Sequence, residues 1–160
     1  MDGLSMRKPA AELDVNPMSP YHHVENRTAL LRGVCSVVAA GLRLPPDDGT
    51  PWQDQLRALG HAYRSVACAH PDLWSYLNTH PALIDEEGEL WTVFNRILVA
   101  AGVPPERLPA TRTALYTFVA GFLSAETGGS LAEFRGASDA DGTFEVALDL
   151  IVAGLASGHS

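Results

Sequence analysis

The side chains that could do chemistry in this 160-residue chain are few and scattered. Six histidines stand at positions 22, 23, 61, 70, 80 and 159, without the spacing that a metal site needs. Asp139-Ala140-Asp141-Gly142 has the look of a partial calcium loop. Aligned on its glycine, that loop needs an oxygen ligand where Ala137 stands and a bidentate glutamate where Leu148 stands, so the segment reads as a turn and a helix start. The sequence has no glycine-rich phosphate loop, no HExxH and no GxSxG. No cofactor or metal is expected. Asp85, Glu86, Glu87 and Glu89 form an acidic run that suits a solvated helix start. Cys35 and Cys68 each sit in an apolar helical run and read as buried thiols, not as a disulfide or a metal pair. Asn95 is more informative. It shares a helical repeat with Trp91, Phe94 and Leu98, where a buried amide needs hydrogen-bond partners from the protein or from a ligand.

Composition sets the frame for these groups. Apolar residues make up 46% of the chain, enough for one compact core with at most a small appendage. Eleven Lys and Arg against 19 Asp and Glu give a formal charge of −8, which argues against an extended basic face for nucleic acid but leaves room for a local patch. The longest apolar run, Ile97 to Ala101, is too short to span a bilayer, and the first residues lack the basic-then-apolar pattern of a signal peptide. A cytoplasmic protein is expected.

Residues 3–34 carry the densest local signals. Ser5 can cap a first helix that holds Lys8 and Ala10 to Leu13, and Asp14-Val15-Asn16 makes a tight turn. Asn16 caps a second helix with Pro17 at its first position, and Tyr21, His22 and His23 follow on it. Asn26 caps a third, longer helix through Leu30, Leu31, Val34 and Val37. This helix-turn-helix closely resembles the DNA-binding region of the TetR family of bacterial one-component repressors. The matching residues are Gly3-Leu4-Ser5-Met6-Arg7-Lys8, Ala10-Ala11-Glu12-Leu13, Val15, Pro17-Met18-Ser19, Tyr21-His22-His23-Val24 and Asn26 with Leu30-Leu31. The likeness is specific in this first fifth and rests on length and helical pattern over the rest. It implies an all-α, TetR-like bundle. Residues 1–34 would be a residual helix-turn-helix and residues 35–160 a ligand-binding and dimerisation domain. The DNA-facing candidates it implies are Arg7, Lys8, Ser19, Tyr21, His22 and His23.

Departures from the pattern point to impaired DNA binding. Family members carry a further helix ahead of the position of Gly3, whereas this sequence starts at Met1. Pro9 and Pro20 stand where the pattern has an apolar residue, usually leucine, at about the fourth position of each helix. An interior proline costs on the order of 3 kcal/mol, and less this near a helix start. The lost leucine burial adds roughly 1.5–3 kcal/mol at each site. A misassigned start codon would explain the missing helix but not the prolines. Arg7, Lys8, Arg27 and Arg32 form only a small positive patch, opposed by Glu12, Asp14 and Glu25.

The rest of the chain reads as helices joined by short connections. Residues 43–50 are a loop, and Thr50-Pro51-Trp52-Gln53 is a helix start with a capping box. That helix reaches Ala69 before His70-Pro71 breaks it, and a short helix spans Pro71 to Leu77. Apolar spacing predicts helices from about Ala82 to Ala101, from Pro109 to Glu126 and from Thr143 to Leu155, with a glycine-rich loop over 128–142. Sustained alternation is absent, so strands are not predicted.

The resemblance places a pocket inside the middle helices and a two-fold interface on the last two long ones. The lining candidates are then His61, Tyr63, Arg64, Trp74, Tyr76, Trp91, Phe94, Asn95, Tyr116 and Phe122, and the homodimer forms through residues 109–126 and 143–155. The implied function is a regulator that senses a hydrophobic small molecule and releases DNA when it binds. The alternative is a repurposed member without DNA binding that sequesters a natural-product-like metabolite or catalyses its cyclisation. Orientation and a few hydrogen bonds can suffice for such catalysis. A third reading is a heterodimer partner that poisons an intact paralogue.

Overall fold

The structure is a computed structural model that describes residues 29–30, 33–34, 37–38, 41–80, 88–134 and 139–158. The chain divides into two units, residues 1–38 and 39–160. In the first unit Ala29, Leu30, Gly33, Val34, Val37 and Val38 are helical. The expected helix-turn-helix, its two prolines, the six DNA-facing candidates and Cys35 lie outside the described residues.

The second unit is helical. It holds α1 (Trp52–Ala69), α2 (Pro71–Thr79), α3 (Glu89–Ala100), α4 (Leu108–Thr127), a 3-10 turn (Ser130–Glu133) and α5 (Ala140–Ser157), with no strand among the described residues. Local chemistry explains most boundaries. Pro71 occupies the first turn of α2, where its missing N–H costs nothing. Gly102 follows α3 at φ 85° and Gly129 follows α4 at φ 81°, left-handed positions that favour glycine. Asp139 caps α5 by accepting a bond of 3.1 Å from the Asp141 amide, so this helix begins at Ala140, ahead of the expected Thr143.

Two further helix starts differ from expectation. Thr50 does not cap α1. Its amide and hydroxyl both donate to Asp48 Oδ1, at 3.0 and 2.6 Å, and Pro51 takes the cap position. The nearby carboxylate outcompetes the capping box. These bonds hold the Asp48 carboxyl below the usual carboxylate range. α3 starts at Glu89 after an extended Gly88, later than the expected Ala82, and residues 81–87, with most of the acidic run, lie outside the described residues.

The apolar faces meet in two core clusters. The first joins Leu56 and Leu59 of α1 to Trp91, Val93, Phe94, Ile97 and Leu98 of α3, with Val103 and Leu155. The second gathers Ala67, Trp74, Ala120, Leu123, Phe144 and Leu148. Tyr116 of α4 packs against both. Cys68 is exposed, contrary to expectation. Its neighbour Ala67 is fully buried, and one residue turns a helix by about 100°, which carries Cys68 outward. Among the described residues no helix is long and apolar enough to cross a membrane.

Candidate functional site: an aromatic-walled cavity

A cavity of about 60 Å³ opens between the two clusters. Its wall takes Leu56, Leu59, Gly60 and Tyr63 from α1, Leu90, Trp91 and Phe94 from α3, Leu115, Tyr116 and Val119 from α4, and Leu148 and Ile151 from α5. These positions recur three or four residues apart on each helix, so each helix presents one stripe. The surface is almost wholly apolar and includes no charged side chain. One water needs about 10–15 Å³ of such space, so a small compact molecule fits as the walls stand and a larger one displaces side chains.

α1 passes close to α5 at Gly60. A Cβ there would lie 2.8 Å from Leu148 Cδ2 and 3.7 Å from Phe144 Cζ. A side chain at residue 60 must therefore displace Leu148, a limit set by space and not by backbone conformation.

A relay of rings runs through the wall. Trp74 meets Tyr63 edge-on at 4.9 Å, Tyr63 lies 6.2 Å from Tyr116, Tyr116 lies 5.1 Å from Trp91, and Trp91 lies 6.2 Å from Phe94. Arg112 places its guanidinium 5.1 Å from the centre of the Trp91 ring. Burial, reinforced by Tyr116, pushes the Tyr63 phenol well above its ordinary range, so Tyr63 keeps its proton at neutral pH.

Four of the ten sequence candidates, Tyr63, Trp91, Phe94 and Tyr116, share this wall. Trp74 stands behind Tyr63 in the second core, 4% exposed, with its indole N–H enclosed and without a hydrogen-bond partner. Phe122 packs on that same core, 5.4 Å from the Phe144 ring. His61 is exposed and sits 3.0 Å from Glu145 Oε1. Asn95 is half-buried, its carbonyl oxygen enclosed and without a hydrogen-bond partner. Tyr76 stacks on His80 at 4.0 Å. Arg64 turns away from the cavity wall and pairs with Glu126 and Asp141. The aliphatic wall residues carry no sequence signal beyond their place on an apolar stripe.

Residues 56–151 match the family profile described as "Tetracyclin repressor-like, C-terminal domain". An HTH-type transcriptional regulator of Saccharopolyspora erythraea is 30% identical over 124 residues, covering 78% of this chain. The chain spans about half the length of that relative, 52%. BioQ of Mycobacterium smegmatis superposes with a TM-score of 0.71 at 27% identity, over 98% of this chain and 88% of its own. A BioQ structure with its double-stranded DNA operator aligns with a TM-score of 0.65 at 27% identity, over 96% and 86% of the two chains. ActR of Streptomyces coelicolor, solved with actinorhodin, aligns with a TM-score of 0.67 at 25% identity, over 99% and 90%. The profile match over most of the helical unit, on a bundle with this architecture, shows that the chain belongs to the TetR family of transcriptional regulators.

Proposed function

We propose that the chain is a ligand-responsive transcriptional regulator whose cavity takes an uncharged hydrophobic molecule with an aromatic face. The observation that carries this reading is the charge-free cavity walled by Tyr63, Trp91, Phe94 and Tyr116 between two separate cores. A wall without a cation or an anion gives an ionised ligand nothing to offset its desolvation. ActR in complex with actinorhodin supports a small-molecule role for the same fold, and BioQ with its operator supports a DNA-reading one.

In this reading residues 1–34 read DNA through Arg7, Lys8, Ser19, Tyr21, His22 and His23, and Pro9 and Pro20 weaken that contact. A homodimer forms through residues 109–126 and 143–155. Support comes from the apolar groups that α4 and α5 leave in solvent: Phe118 is 48% exposed, Val146 57% and Leu150 65%. Ligand then acts by linkage. It favours the dimer in which the two DNA-reading units are spaced wrongly for successive major grooves.

Fluorescence anisotropy of the purified chain with labelled DNA from its own upstream region tests the regulatory role. Saturable binding that weakens with salt and is reversed by an uncharged aromatic compound is the expected result. Binding no tighter than to competitor DNA at moderate salt would retire it.

A further inference from the structure

The connector that leads from the first unit into α1, residues 41–50, is fastened by a polar circuit with Arg96 at its centre. Arg96 sits on α3, and its Nη2 donates to the Pro45 carbonyl at 2.7 Å and to Gln55 Oε1 at 3.1 Å. Gln55, 8% exposed, turns its amide nitrogen to the Thr50 carbonyl at 2.7 Å. Pro45 is buried and Leu44 packs on the first core cluster. One guanidinium therefore holds α3, α1 and the connector together, and Asp48 folds the connector's end back on Thr50.

Stability alone does not account for Arg96. Its Nε is enclosed without a hydrogen-bond partner, an arrangement that costs free energy where an apolar side chain would not. The bonds that Arg96 does make all fix relative position. They begin next to the cavity wall: Gln55 adjoins Leu56, and Arg96 follows Phe94 by half a helical turn. A molecule that spreads α1 from α3 stretches the spacing between Arg96 and Gln55. Both bonds come from the one Nη2, so it cannot then keep both of its acceptors at bonding distance.

We infer that Arg96 is a positioning residue that carries occupancy of the cavity into the connector, through the Pro45 carbonyl and Gln55. The inference rests on the small-molecule reading above. It names the point at which that site would reach the DNA-reading unit, since residues 41–50 are the covalent link to residues 1–38.

Hydrogen exchange of the full chain, with and without the uncharged fluorophore N-phenyl-1-naphthylamine, tests it. Fluorescence reads binding independently. In the wild type the probe is expected to change exchange in the 42–50 segment by about threefold or more. In Arg96→Met the probe binds within about twofold of wild type, and the connector response disappears. Should that variant fold poorly, Gln55→Leu, which removes the α1 acceptor of Arg96 and the bond to the Thr50 carbonyl, gives a reduced response at unchanged probe affinity. A connector response of wild-type size in these variants, or a silent connector in a wild type that binds the probe, overturns the inference alone. Failure of the wild type to bind the probe overturns the cavity reading and the inference with it.

Discussion

Arg64 of α1 grips the Glu126 carboxylate at the end of α4, donating from Nε to Oε2 at 2.9 Å and from Nη2 to Oε1. Only 15% of one side chain and 12% of the other reach solvent, and the exposed Asp141 at the start of α5 takes a second bond from Arg64 at 2.7 Å. Three helices are fastened at one point. The Phe144 ring lies beneath, its centre 5.0 Å from the guanidinium carbon. Glu126 holds the Arg64 guanidinium above its already high range, so Arg64 stays charged wherever the protein folds.

Removing one member strands the other. Glu126→Ala is expected to cost about 2–4 kcal/mol, because a mostly buried guanidinium keeps only Asp141. Arg64→Met, which leaves the mostly buried Glu126 carboxylate without the cation that pairs with it, should cost at least as much. Urea unfolding of both variants checks the order.

Gly60→Ala separates cavity shape from stability. The new Cβ must push the flexible end of Leu148, and the cavity that both residues line gives it room to yield. A stability change within about 1 kcal/mol is expected. Affinity for N-phenyl-1-naphthylamine should fall by about tenfold, the equivalent of roughly 1.4 kcal/mol. Calorimetric melting and a fluorescence titration measure the two effects.

Tyr63 gives the protein an alkaline limit. Its phenol ionises at higher pH in the folded chain than in the unfolded one, because burial and Tyr116 oppose the charge. The stabilisation is complete below the unfolded value near 10 and is lost as pH rises toward the folded value. Tyr63→Phe should therefore flatten the fall in melting temperature above about pH 10. The comparison is best made with Cys68→Ser in both chains, since burial, and next Glu126, also raise the Cys68 thiol.

Leu150→Asp tests the proposed pairing of α4 and α5. Leu150 is 65% exposed and touches neither the cavity wall nor the core clusters, so helicity should be unchanged. Sedimentation should show a dimer for the wild type and a monomer for the variant at the same concentration, because a buried unpaired carboxylate opposes association. A dimer of equal strength in both would move the interface elsewhere.

Much of the bundle is legible in the sequence because its punctuation is local. His70-Pro71, Gly102, Gly128-Gly129 and Asp139 end or begin helices by rules that act within a few residues. The start of α1 is misread because Asp48, outside the expected capping box, takes both donors of Thr50. Rings that line the cavity are visible as aromatics on helices. Those that do not, Trp74 and Phe122, look the same in sequence, since a ring facing a void and a ring filling a core follow the same spacing. Leu56, Gly60, Leu148 and Ile151 give no sign of their role for that reason. His61 and Arg64 share a helix yet part company. Arg64 finds Glu126, 62 positions away, and no local pattern announces such a partner.

The space between the two cores is the proposed binding site. Its most direct test is a fluorescence titration of N-phenyl-1-naphthylamine into three chains: the wild type, Val119→Phe, which fills the cavity from its wall, and Val99→Phe, which adds the same ring at a position 59% exposed and away from it. Saturable binding to the wild type and to Val99→Phe is expected, with binding at least about tenfold weaker to Val119→Phe. Equal affinity in all three, or no saturable binding to the wild type, would contradict it.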